Sequence, residues 1–166
     1  MTKSDNNFST GHFFQSLTVS AATLVIILGT LLTSGCGDGR DARVPVKGTV
    51  TIDGEPLKFG SITFHPSKKG NTGKTRAGGG SLDSEGRFQI SSYTPNDGLL
   101  KGNYDVTVLA IEPINDTSQR WHAPKEYSQV RNAKFSFELN GAMEDLKIEL
   151  KWEVDPKHSE PFVEKF

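Results

Sequence analysis

From residue 44 onward the chain alternates between apolar and polar positions. The stretch VPVKGTVTI sets Val44, Val46, Gly48, Val50 and Ile52 on one side and Lys47, Thr49 and Thr51 on the other. That is the period of two of a half-buried strand. Asp53-Gly54 follows as a turn dipeptide. FGSITFHP predicts a second strand with Ile62 and Phe64 inward, ended by Pro66, which cannot donate to a sheet ladder. RFQIS puts Phe88 and Ile90 on one side, and NYDVTVLAI, the clearest alternation of all, buries Tyr104, Val106, Val108 and Ala110. KFSFEL and EDLKIEL predict a closing hairpin around Asn140-Gly141-Ala142, with Phe135, Phe137 and Leu139 facing one way, as do Leu146, Ile148 and Leu150.

Between these runs the pattern lapses. SKKGNTGKTRAGGG, residues 67–80, predicts a basic, glycine-rich loop running into a short strand near Ser81 and Leu82. Residues 112–131 predict a long irregular connection. Beyond Trp152 the segment EVDPKHSEPFVEKF is charged and holds two prolines, which predicts a fraying tail. Six or seven short strands with turn signals between them, and no amphipathic helix, predict an all-β sandwich or small barrel. The inward positions supply about fifteen apolar side chains, each contributing roughly 1.5–3 kcal/mol when fully buried. That suffices for a domain of ~125 residues without disulfides.

The first residues read differently. Residues 1–16 hold Lys3 as their one lysine or arginine, and LTVSAATLVIILGTLL, Leu17 to Leu32, carries no charge. As a helix this run would reach ~24 Å, short of a ~30 Å hydrocarbon core. A polar start, an apolar middle and small residues at the end describe a secretory signal. Thr33, Ser34 and Gly35 are the small residues, and Cys36 follows, the only cysteine of the 166 residues. One thiol excludes an internal disulfide, a cysteine-rich metal site and an internal redox pair. A formal net charge of −1 gives no global electrostatic case for nucleic acid as a partner.

Leu-Thr-Ser-Gly-Cys resembles the lipobox of bacterial lipoproteins. There the cysteine thiol is alkylated by a diacylglycerol and the signal is cut just before it. Ser34 and Gly35 match the pattern; Thr33 stands where leucine is preferred, with Leu32 one place early. The resemblance implies Cys36 as the lipidation site and a membrane as a partner through the acylated cysteine. An ordinary signal peptide and an uncleaved anchor remain the alternatives. Two or three acyl chains hold a protein stably at a membrane where one does not.

A second resemblance runs from Val44 to Leu150. VKGTVTIDGEPLKFGSITFHP, GGGSLDSEGRFQI, YTPNDGLLKGNYDVTV, APKEYSQV and FELNGAMEDLKIEL resemble successive parts of the carboxypeptidase-regulatory-like, transthyretin-like domains of planctomycete-type lipoproteins. This implies a seven-stranded, transthyretin-like (prealbumin-like) β-sandwich on a lipid tether. The organisation expected is a signal peptide over 1–35, a polar tether over 36–43, the sandwich over 44–152 and the charged tail over 153–166. The location expected is the cell envelope, facing the periplasm or the cell surface.

Chemical motifs are sparse. GNTGKT, residues 70–75, lacks the first glycine of a phosphate-binding loop, because position 68 is lysine, and no helical pattern follows. Of the four histidines, His12 leaves with the signal, and His65, His122 and His158 have no partner at metal-ligand spacing, so no metal and no cofactor is expected. Hydrolases of one class on transthyretin-like folds end in Tyr-Arg-Gly-Ser; this chain ends FVEKF. RWHAPKEY, residues 120–127, gathers Trp121, His122 and Tyr127 in one loop. Loop aromatics stack on sugars or peptides; large aromatics also serve as cover for a core, and cover is the favoured reading here. The expectation is a non-catalytic binding or structural domain, with an envelope protein or polysaccharide as candidate partner. A hydrolase, or a carbohydrate-binding module using the loop aromatics, is the alternative.

Overall fold

The computed structural model describes residues 41–68 and 73–166. The expected signal peptide and Cys36 lie outside the described residues, as do positions 69–72 of the basic loop. The described part is all-β. Its strands are β1 (Val46–Ile52), β2 (Glu55–Pro56), β3 (Ser61–Pro66), β4 (Gly78–Ser81), β5 (Arg87–Gln89), β6 (Gly102–Leu109), β7 (Ile111–Asn115), β8 (Ser118–Trp121), β9 (Phe135–Leu139), β10 (Met143–Leu150) and β11 (Phe162–Lys165). The helical pieces among the described residues are short 3-10 turns at Lys125–Ser128, Val130–Asn132 and Trp152–Val154. No helix of the described part is long and apolar enough to cross a membrane.

Two four-stranded sheets enclose one core. In the first, β1 lies between β10 on one side and β2 and β5 on the other; in the second the order is β4-β3-β6-β9. The alternating residues meet between them. Val46, Val50, Ile148, Leu150 and Phe88 come from the first sheet, and Ile62, Phe64, Tyr104, Val106, Val108 and Leu139 from the second, all in one buried cluster. Every buried apolar side chain of the described chain falls between Val46 and Trp152, so this segment carries its own core. The two-residue turn after β1 is set by Asp53 and Gly54, both at positive φ (47° and 86°), the geometry that suits a hairpin's right-handed twist. Gly48 answers a different need. A Cβ there would sit 1.9 Å from the carbonyl oxygen of Leu146, so the parallel approach of β10 to β1 demands glycine.

Three expectations are corrected. β9 and β10 do not pair as a hairpin: β9 pairs antiparallel with β6, and β10 pairs parallel with β1. Each apolar face is satisfied by a different sheet, and the Asn140–Ala142 link crosses between them. The connection over 112–131 is not irregular throughout; β7 and β8 form an antiparallel hairpin within it. The tail does not fray. β11 folds back onto β8, pairing Phe162 with Trp121 and Lys165 with Ser118, and completes a three-stranded sheet β11-β8-β7. These additions take the described strands past the six or seven that alternation marks.

The registers give the sandwich two ends. At the near end, where the described chain begins, Val44 bridges Leu99, Val46 lies beside Met143, and Pro66 pairs with Tyr104. At the far end Ile52 lies beside Leu150 and Ser61 pairs with Leu109. The three-stranded sheet follows directly from Leu109 and belongs to the far end.

Candidate functional site

The loop after β8 was the one place where sequence concentrated binding-type side chains, and the structure sends its three aromatic candidates in three directions. Successive strand residues point to opposite faces, so Trp121 and His122 part company at once. Trp121 is 7% exposed. Its indole Nε1–H donates to Glu164 Oε2 at 2.9 Å, and its ring lies nearly parallel to Phe162, with centroids 6.4 Å apart. His122 faces the other side. There Nε2 is hydrogen-bonded to Glu112 Oε2 at 2.9 Å, and the ring lies 5.4 Å from that of Phe59. Tyr127, carried inward by the 3-10 turn over Lys125–Ser128, joins the core, stacks on Phe135 and accepts the Lys151 amide at 3.0 Å through its hydroxyl. Burial pushes its phenol up from the ordinary value. Tyr127 thus belongs to the core cluster, while Trp121, though buried, lies outside that cluster and packs on Phe162.

What gathers around Trp121 was not visible in sequence. Glu164, on β11, accepts from Trp121 and from Gln119 Nε2 at 3.0 Å, and its other oxygen takes the Lys125 ammonium. The hydrogen bonds from Lys125, Trp121 and Gln119, in that order of effect, hold its carboxyl down to about 2. The same ammonium lies over the Trp121 ring at 5.1 Å and the Phe162 ring at 5.8 Å. His158 lies flat on Phe162, centroids 3.5 Å apart, with Nδ1 hydrogen-bonded to Asp155 Oδ2 at 2.8 Å. Trp152 meets Phe162 edge-on. A shallow pocket of about 350 Å³ opens here, lined by Lys125, Asp155, His158, Phe162 and Glu164 among others. Chemically this is an aromatic stack already supplied with its own cation and its own anion. The sequence signal was faint: Lys125 and Glu164 stand 39 residues apart, beyond any local spacing rule.

Polar side chains also meet on the outer face of the second sheet. His65 Nε2 is hydrogen-bonded to Thr107 Oγ1 at 2.9 Å, and Ser136 Oγ donates to Asp105 Oδ1 at 2.6 Å. Burial pulls the His65 imidazole below its ordinary value, with Asp105 opposing. These are cross-strand neighbours: His65 pairs with Asp105 and Asp105 with Ser136 in register. Thr107 is buried. At Gly73–Thr75, the described end of GNTGKT, the chain leads into β4 and not into a helix. No group of three or more histidine, cysteine or carboxylate side chains converges as a metal site among the described residues. Cys36 lies outside them.

Compared with known proteins, the chain matches no family model, no curated protein and no solved structure.

Proposed function

We propose that this chain is a lipid-anchored cell-envelope protein, held through an acylated Cys36, whose transthyretin-like sandwich is a non-catalytic binding or structural module. The observation that carries the structural part is the commitment of Trp121 and Tyr127 to packing. The loop that could have presented aromatic bait instead buries Tyr127 in the core and Trp121 against Phe162 of β11. The layer count, two four-stranded sheets over one core, supports the transthyretin-like reading. The lone thiol directly behind Thr33-Ser34-Gly35 supports the anchor.

The test is metabolic labelling of cells with an alkyne fatty acid. The wild-type chain should carry the label and Cys36→Ser should not, and the variant should accumulate as unprocessed precursor. Equal labelling of both, or of neither, removes the anchor.

A further inference from the structure

The near end of the sandwich is built differently from the far end. Tyr93 is 44% exposed there, and two guanidinium groups flank its ring, Arg76 at 4.2 Å and Arg43 at 5.2 Å. Arg43 is fixed by Asp97, with Nε 3.1 Å from Oδ2. Asp97 in turn accepts the amides of Ser92, Tyr93 and Thr94, so the loop carrying the tyrosine is rigid. Lys74, with a 72% exposed side chain, pairs with Asp41 at 3.2 Å. Lys68 and Lys101 are exposed on the same end, because Ser67 donates to the Asn103 carbonyl and Leu99 bridges Val44. Three carboxylates at this end are engaged already, Asp97 on Arg43, Asp41 on Lys74 and Glu144 on Lys47, while Glu138, beside Asn103, lines the same pocket as Lys68. Among the described residues no carboxylate lies within ion-pair distance of Lys68, Arg76 or Lys101. The far end carries Asp53, Glu55, Asp83, Glu85, Glu112 and Glu153, of which Asp83 and Glu85 are paired with Arg87 and Glu112 with Arg120.

We infer that the near end docks onto an anionic phospholipid surface, with Tyr93 at headgroup depth and Arg76, Lys74, Lys68 and Lys101 on the phosphates. This rests on the anchor reading. Residue 41 stands five positions after Cys36, and five residues reach at most about 18 Å when fully extended. An acylated Cys36 would therefore keep this end within a few Debye lengths of the headgroups. The chemistry is matched. Aromatic rings with a polar tip settle at the membrane–water interface, and each lysine or arginine near an anionic leaflet improves binding roughly fivefold. Attached this way, the sandwich stands with its far end turned away from the lipid, so the membrane orients the module as well as retaining it.

The experiment uses the chain from Cys36 to Phe166, its thiol coupled to a maleimide lipid in vesicles. Trp121 and Trp152 are built-in controls at the far end, and Tyr93→Trp places a third indole at the near end. On vesicles of phosphatidylglycerol and phosphatidylcholine with brominated acyl chains, the Tyr93→Trp emission should be quenched while that of the parent chain is not. On phosphatidylcholine alone the quenching should fall. Adding Arg76→Glu to Tyr93→Trp should lower the docked-to-undocked ratio at least about fivefold. No quenching of the new indole, equal quenching on both lipid compositions, or quenching of Trp121 and Trp152 instead would each overturn the inference. Chemical coupling makes the result independent of whether cells acylate Cys36. A labelling failure in cells therefore strikes the anchor, and a quenching failure strikes the docking face.

Discussion

The sandwich core and the sheet that caps its far end are held by opposite means. Between the two large sheets, Val46, Val50, Ile62, Ile90, Leu99 and Leu150 are 0% exposed and belong to one hydrophobic cluster. In the cap, β11 is held on β8 by a carboxylate with three donors and by a stack of Trp121, Phe162 and His158. Apolar burial is additive and indifferent to which neighbour supplies the surface. The cap depends on a few directed contacts between residues far apart in sequence. The core should therefore be strong and uniform, and the cap removable.

The largest effect should come from the core. Phe64→Ala deletes a ring packed on Tyr104 and Phe137 and should cost about 4–5 kcal/mol by chemical denaturation, because the two sheets cannot close the cavity. Trp121→Ala removes a ring of greater volume but should cost nearer 3 kcal/mol, since its partner Phe162 sits on a strand that can settle into the space. An unaltered denaturation curve for Trp121→Ala would turn the loop back into a candidate binding surface. A Trp121→Ala cost equal to that of Phe64→Ala would erase the distinction between the two regions.

The same contrast governs what could be read in the sequence. Core strands announced themselves because their faces alternate: Tyr104, Val106, Val108 and Ala110 were inward by pattern and are 1% exposed in the fold. Pairing was less legible than existence. Asn140-Gly141-Ala142 reads as a hairpin turn, and only the two-sheet geometry shows that β9 and β10 separate there. The cap was nearly silent. β7 contains Pro113 and β8 reads SQRW, neither with a regular apolar face. FVEK looks like tail because its stabilising partners are Trp121, Gln119 and Lys125, some forty positions earlier. The burial of Trp121 and Tyr127 was legible from their bulk alone. Nothing local marked Glu164, Phe162 or His158.

A smaller effect should follow from cutting the cap away. A chain ending at Asp155 loses β11, and with it the hydrogen bond to the Trp121 indole and the ring lying along it. Its cost should be about 1–2 kcal/mol, because ordering a terminal strand offsets much of what its contacts contribute. Trp121 and Trp152 emission should shift to the red, while amide exchange in β3 and β6 stays slow. Loss of protection across β3 and β6 would mean that cap and core are one cooperative unit.

The smallest effect is the acid response, and it compares the two ends directly. Glu164 at the far end and Asp97 at the near end both titrate at about 2. Their causes differ. Side-chain donors hold Glu164 down, Lys125 first. For Asp97, burial pushes upward and is overcome by the amides of Ser92, Thr94 and Tyr93, with Arg43 adding to them. A carboxylate whose folded value is depressed stabilises the fold fully above its unfolded value and loses that contribution as pH falls toward the folded one. For Glu164 the window runs from the ordinary glutamate value of 4.5 down to about 2; for Asp97 it runs from 3.8 to about 2. Acidification should therefore loosen the cap first, seen as a red shift of tryptophan emission, and release the amides of residues 92–94 to exchange at lower pH. Glu164→Gln keeps the side-chain size, cannot titrate and loses the ion pair with Lys125. It should begin with a slightly loosened cap at neutral pH and show no emission step between pH 4.5 and 2. If the step survives in Glu164→Gln, the acid sensitivity of the far end belongs to another carboxylate, Asp155 under His158 being the next to test.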